Sequence, residues 1–259
     1  MMIFGQGLSQ TELKLLRNIK ITKAAFTEET KAIEEGLALM YSYSLTEDVN
    51  EAVRKDTRPQ IYANRNLFAR NRQLLLNGYF CMLCSNYGTQ FVILRTVLEN
   101  NDLMRLFNLK PQYAYEWLSA EKQERFPTKT QSEYRKSDRH DREFKDWFVR
   151  KELFQQPEKG VVAETLKKIY EELCDYAHPN FRGWSELMGL RKEEEIIMEM
   201  PAFTTDNAFI VVRLTLYLMQ LSFKTLVETF KSHILDFLVQ LEKWQHANEA
   251  LTIKYLEKD

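Results

Sequence analysis

The chain has 259 residues, of which 44% are hydrophobic and 28% charged, an ordinary globular balance rather than that of a disordered chain. Eight glycines and six prolines are too few for the tight turns of a β-sandwich or a doubly wound α/β fold, so the composition predicts long helices with few loops. With 36 basic and 37 acidic residues the net charge is −1, which excludes a global polybasic signal for nucleic acid or membrane.

The first ten residues lack the basic opening and apolar stretch of a secretory signal peptide. Ser9-Gln10-Thr11-Glu12 has the spacing of a capping box, in which hydroxyl and carboxylate satisfy reciprocal backbone donors. Leu13, Leu16 and Ile19, then Ile33, Leu37 and Met40, recur at helical spacing, with a break near Phe26-Thr27. Pro59 opens the next helix, since its missing N–H costs nothing at a first helical position. Ile61, Phe68 and Leu75 share a face there. Asn77-Gly78 either ends this helix or lets another approach closely.

Tyr79 to Phe107 is apolar and aromatic, with Arg95 and Glu99 embedded in it, and Pro111 to Glu124 is a short amphipathic helix. Residues 125–140 read as a polar loop. Asp141 to Phe154 and Val161 to His178 resume as helices, the second ending at Pro179. Pro179 to Phe203 is the least helical stretch: Ile196 to Met200 reads as a short edge strand, within a β-hairpin or irregular segment near 185–203, or as helix continuing the Lys-Glu-Glu-Glu run before it. From Phe209 to Leu241 apolar residues recur at steps of three and four, which predicts one long core helix or a pair broken near Ser232. Its most apolar run, Phe209 to Met219, is shorter than a membrane span and carries Arg213. The expectation is an all-α helical bundle in one domain: N-terminal helices in 1–58, central helices in 59–124, the polar loop, and C-terminal helices in 141–259.

Four groups of residues could carry chemistry. Arg95 and Glu99, at i and i+4, lie on one helix face within ion-pairing distance. They form either a structural pair or a fork that holds a phosphate or carboxylate. Arg213 is the only charge in its apolar run and needs a partner, for which Glu99 is the expectation. His178 closes its helix, where an imidazolium favours the negative end of the dipole. Alternatively it is a general acid or base beside Asp175, Tyr176 and Arg182. Cys81, Cys84, Cys174 and His178 supply the ligand types of a tetrahedral zinc site, but Cys81 and Cys84 sit in an apolar helical run, where cysteine usually acts as a small hydrophobe. No metal or cofactor is therefore expected. Three cysteines cannot all pair within the chain, which favours a reducing cytoplasm. Lys122 to Lys151 is locally basic with aromatic residues interleaved, either a solvated face or a contact for RNA phosphates.

Asn77-Gly78-Tyr79-Phe80, Leu94 to Asn100, Pro111 with Ala114 to Leu118, and the Tyr/Leu-rich helix from Tyr170 to His178-Pro179 resemble a group of bacterial helical proteins. Their arrangement is similar to HEPN-like bundles, which include toxin and phage-defence ribonucleases as well as nucleotide-binding and scaffold members. The resemblance spans roughly half the chain and implies a HEPN-like core with added N- and C-terminal helices. It implies a polar pocket around Arg95, Glu99 and Arg213, with His178 at its edge, for a nucleotide, RNA or a partner protein. The ribonuclease members carry Arg-x4–6-His on a late helix, whereas here Glu171, Glu172 and Leu173 occupy the arginine positions before His178. Arg135 and His140 match that spacing but lie in the polar loop. The alternatives are a metal-independent ribonuclease using His178 or His140, and a non-catalytic structural or oligomeric protein. Bundles of this kind often form homo-dimers.

Overall fold

The residues fold locally as their patterns dictate. Pro59 stands in the first turn of its helix behind Arg58, whose extended backbone (ψ 126°) makes it the N-cap. Asn86 caps the next helix by accepting a hydrogen bond from the Thr89 N–H at 3.4 Å. The structure is a computed structural model and describes residues 2–45, 58–124, 173, 203–230 and 235–253. Among these it is an all-α bundle of seven helices and no strand: α1 Met2–Ala25, α2 Thr27–Leu45, α3 Pro59–Leu83, α4 Tyr87–Leu109, α5 Pro111–Glu124, α6 Thr205–Phe230 and α7 Leu235–Ile253.

One expectation about the helices needs correction. The first helix does not start at Ser9 but runs from Met2, so Ser9 to Glu12 is helix interior. Two glycines in that first turn and a half cost about 1 kcal/mol each, too little to stop it. The apolar run from Tyr79 to Phe107 is shared between two helices: α3 ends at Leu83, and Ser85 turns the chain with φ 64°. By length and composition alone, an 18-residue stretch of α6 is apolar enough to cross a bilayer (mean hydropathy 1.4), and 67% of that stretch is buried inside the protein. The break at Phe26, the helix over Pro111–Glu124 and the splitting of the last apolar stretch into α6 and α7 agree with the sequence reading. Residues 125–172 and 174–202, including the polar loop and the strand near 196–200, lie outside the described residues. Leu173 alone is described between them, helical and fully buried.

Side-chain pairings fix the directions. Tyr79 meets Glu34, and Tyr43 packs edge-on against Phe68 at 5.5 Å, so α2 and α3 are antiparallel. Asn71 bonds Asn101 and Asn64 bonds Asn108, so α4 runs against α3. Gln90 bonds Thr215 while Ser222 bonds Asn101, so α6 runs parallel to α4. The core between them is led by Phe91, Phe107, Phe223, Phe230, Ile33 and Met40. Trp244 of α7 closes it, its ring 5.2 Å from Phe223 and its indole N–H donated to the Ala32 carbonyl at 2.9 Å.

Two glycines are close-approach points. A Cβ on Gly78 would lie 2.3 Å from Gln90 Oε1, so Asn77-Gly78 does not end α3 but lets α4 come near. A Cβ on Gly36 would lie 2.2 Å from Met219 Sδ and 2.9 Å from the Trp244 ring. Alanine normally gains about 1 kcal/mol over glycine inside a helix. For Gly36→Ala we expect the opposite sign, a loss of about 1–3 kcal/mol by urea denaturation, because buried Met219 and Trp244 must move.

Candidate functional site

The charged edge of α4 begins about two turns past Tyr87, the first residue of its buried face. Arg95 Nε and Glu99 Oε1 are 3.1 Å apart, with side chains 17% and 28% exposed. One turn on, Asp102 and Arg105 approach to 4.0 Å. Positions 95, 99, 102 and 105 recur at steps of three and four, so one half-buried face carries two cations and two carboxylates. Tyr217 of α6 lies beside it. Burial first of all pushes that phenol up to about 12, with Arg105 acting to lower it and Asp102 to raise it. Held at Nε by a carboxylate, the Arg95 guanidinium has a defined pose at the protein's surface, the geometry in which arginine recognises a planar anion.

Arg213 is not part of this edge, and its partner is Glu29 rather than Glu99. Arg213 is 6% exposed, and its Nη2 lies 3.4 Å from Glu29 Oε1 in the first turn of α2. Nη1 donates to the Leu251 carbonyl at the end of α7, and the Phe209 ring stacks on the guanidinium at 5.2 Å. One buried cation thus neutralises a carboxylate near a helix N-terminus and satisfies a carbonyl at a helix C-terminus. The parallel register places Arg95 level with residues just beyond Leu218, so the two arginines are separated by roughly 9 Å along the bundle axis. Arg95–Glu99 and Arg213–Glu29 are separate pairs. His178, His140, Tyr176, Arg182 and Cys174 lie outside the described residues.

Cys81 and Cys84 are free thiols at the end of α3, half-buried. Burial pushes both up, and Cys84 adds to the shift at Cys81, which keeps them protonated at neutral pH. The Cys84 carbonyl accepts from the Asn18 amide at 3.3 Å, tying α1 to this corner. Among the described residues no three histidine, cysteine or acidic side chains group as a metal site.

A second polar constellation escaped the sequence reading. Asn64, Asn71 and Gly78 on α3 face Asn108, Asn101 and Gln90 on α4, and Thr229, Ser222 and Thr215 on α6. In the first layer the Asn64 amide nitrogen reaches Asn108 Oδ1 at 2.8 Å and Thr229 Oγ at 3.0 Å. In the second, Asn71 donates to Asn101 Oδ1 at 2.9 Å and accepts from Asn100 at 2.7 Å, while Ser222 donates to the same Asn101 oxygen at 3.0 Å. In the third, Gln90 donates to Thr215 Oγ at 2.9 Å. The seven-residue spacing on α3 and α6, about 10.5 Å, was the available signal, while on α4 the steps are seven and eleven. These amides bond one another across three helices, so their chemistry is registration of the bundle rather than catalysis.

Comparison of the chain with protein-family models, curated proteins and solved structures finds no match in any of the three.

Proposed function

We propose that the chain is a HEPN-like helical module that binds a nucleotide or an RNA phosphate at the charged edge of α4, without catalysing a reaction. The observation that supports this is Arg95, held in one pose by Glu99 yet partly open to solvent. Asp102 and Arg105 extend the edge by a turn, long enough to meet a ribose or a second phosphate. The test is a thermal-shift series with nucleoside mono-, di- and triphosphates. A ligand at about 100 times its Kd adds about 2.7 kcal/mol to the wild type, a rise of several degrees. Arg95→Ala is expected to abolish that rise. Metal-free cleavage of RNA that is lost in His178→Ala or His140→Ala would replace binding by the ribonuclease reading.

A second reading, a structural helical protein, is favoured by a different observation. Arg213 and the buried amides bond to groups of the bundle itself. It prevails if no nucleotide or RNA shifts the melting temperature and no RNA is cleaved.

A further inference from the structure

We infer that the solvent face of α3 is a docking surface for single-stranded nucleic acid, distinct from the edge of α4. The inference rests on α3 alone and does not require the Arg95 site to bind.

Acidic residues number 37 in this chain, yet from Arg58 to Leu98 there is not one, while Arg58, Arg65, Arg70, Arg72 and Arg95 fall within the same stretch. On α3 the exposed residues are Tyr62, Asn66, Ala69, Arg70, Gln73, Asn77 and Phe80. At 100° per residue these fall within an arc of about 100°. The stripe lies opposite Asn64, Asn71 and Gly78, which face the core. Arg58, Arg65 and Arg72, each seven residues from the next, line one border, and Arg70 stands on the other. Arg72 is stacked over the Tyr41 ring of α2 at 4.4 Å, which fixes that border of the stripe. Glu34 of α2, which meets α3, is bonded by the Tyr79 hydroxyl and by Lys23.

Charge complementarity selects a polyanion, and the kind of cation narrows it. All four charges between Arg58 and Leu83 are arginines, whose planar guanidinium both bridges phosphate oxygens and stacks on bases, and none is lysine. Between them lie three exposed amides, Asn66, Gln73 and Asn77, which can donate to and accept from base edges. The rings of Tyr62 and Phe80, 54% and 58% exposed, stand at the two ends, about 27 Å apart along the helix. A lipid surface would meet an apolar centre flanked by cations. Here the centre is amide and the rings are terminal, the pattern of a strand that lays its backbone along arginines and stacks bases at intervals.

The experiment is fluorescence anisotropy of the full chain with a short labelled single-stranded RNA, at low and moderate salt. Binding should weaken as salt rises, because phosphate neutralisation releases counterions. Arg70→Glu should weaken binding about tenfold and flatten the salt dependence by about one counterion, with an unchanged melting temperature. Tyr62→Ala should weaken it several-fold without changing the salt slope. Absence of RNA binding overturns the inference. So does wild-type affinity in both variants, or equally tight binding to phosphatidylserine vesicles. If Arg95→Ala abolishes RNA binding while both α3 variants keep it, the α3 surface falls and the α4 site stands. Loss in the α3 variants with an intact nucleotide shift gives the converse.

Discussion

Arg213→Leu is expected to lower the free energy of unfolding by about 3–5 kcal/mol, because it strands a carboxylate and a helix-end carbonyl at once. In the wild type Arg213, 6% exposed, bridges Glu29 on α2 and Leu251 on α7 from the first third of the apolar helix α6. Glu29→Leu should cost less, since Arg213 keeps the Leu251 carbonyl and the Phe209 ring as partners. The double variant should recover part of the sum, and the coupling from the double-mutant cycle measures the pair itself. Urea denaturation supplies all four values. Unchanged stability in Arg213→Leu would show that the cation does not clip the three helices together.

The second large effect belongs to the middle layer of the buried amides. Asn71 is fully buried, donates to Asn101 and accepts from Asn100. Asn71→Ala removes the acceptor of the Asn100 amide and opens a gap between α3, α4 and α6. A stranded buried donor and a small cavity together cost about 2–4 kcal/mol. Asn77→Ala, six residues on and facing solvent, should change stability by less than about 0.5 kcal/mol. The contrast between two asparagines on one helix separates the role of the layer from any helix-propensity effect. Equal costs would show that the bonds across the layer contribute nothing beyond their helix.

What was legible in the sequence follows the range of each interaction. Prolines 59 and 111 marked helix starts because their effect is confined to the residue and its neighbour. The Arg95–Glu99 pair was legible because i, i+4 partners sit on one helix whatever the fold does. The turn at Cys84 to Asn86 was not. It contains no glycine or proline, and its reversal depends on Ser85 adopting a left-handed conformation that its residue type disfavours. Nor was Glu29 legible as the partner of Arg213, since 184 residues separate them and only the packing of α2 against α6 brings them together. The requirement for a partner could be read from burial alone, and its identity needed the fold. Asn64 and Asn71, or Thr215, Ser222 and Thr229, repeat visibly once a seven-residue period is sought, but the apolar pattern around them dominates the reading.

That period also creates an ambiguity which the protein resolves in the last layer. Sliding α3 by seven residues along α4 and α6 would bring Asn71 to the height now held by Asn64, or Asn64 to the height of Asn71, and one amide would replace another. Identical rungs would therefore tolerate two alignments of nearly equal energy. The rung at Gly78 is different, for it has no side chain and accommodates the long Gln90 side chain that reaches on to Thr215. After a slide in one direction, an asparagine would stand where Gln90 needs empty space. In the other, Gly78 would face Asn101 and leave that amide without the donor from Asn71. A missing side chain is what makes one alignment of the three helices distinguishable from its translated copies.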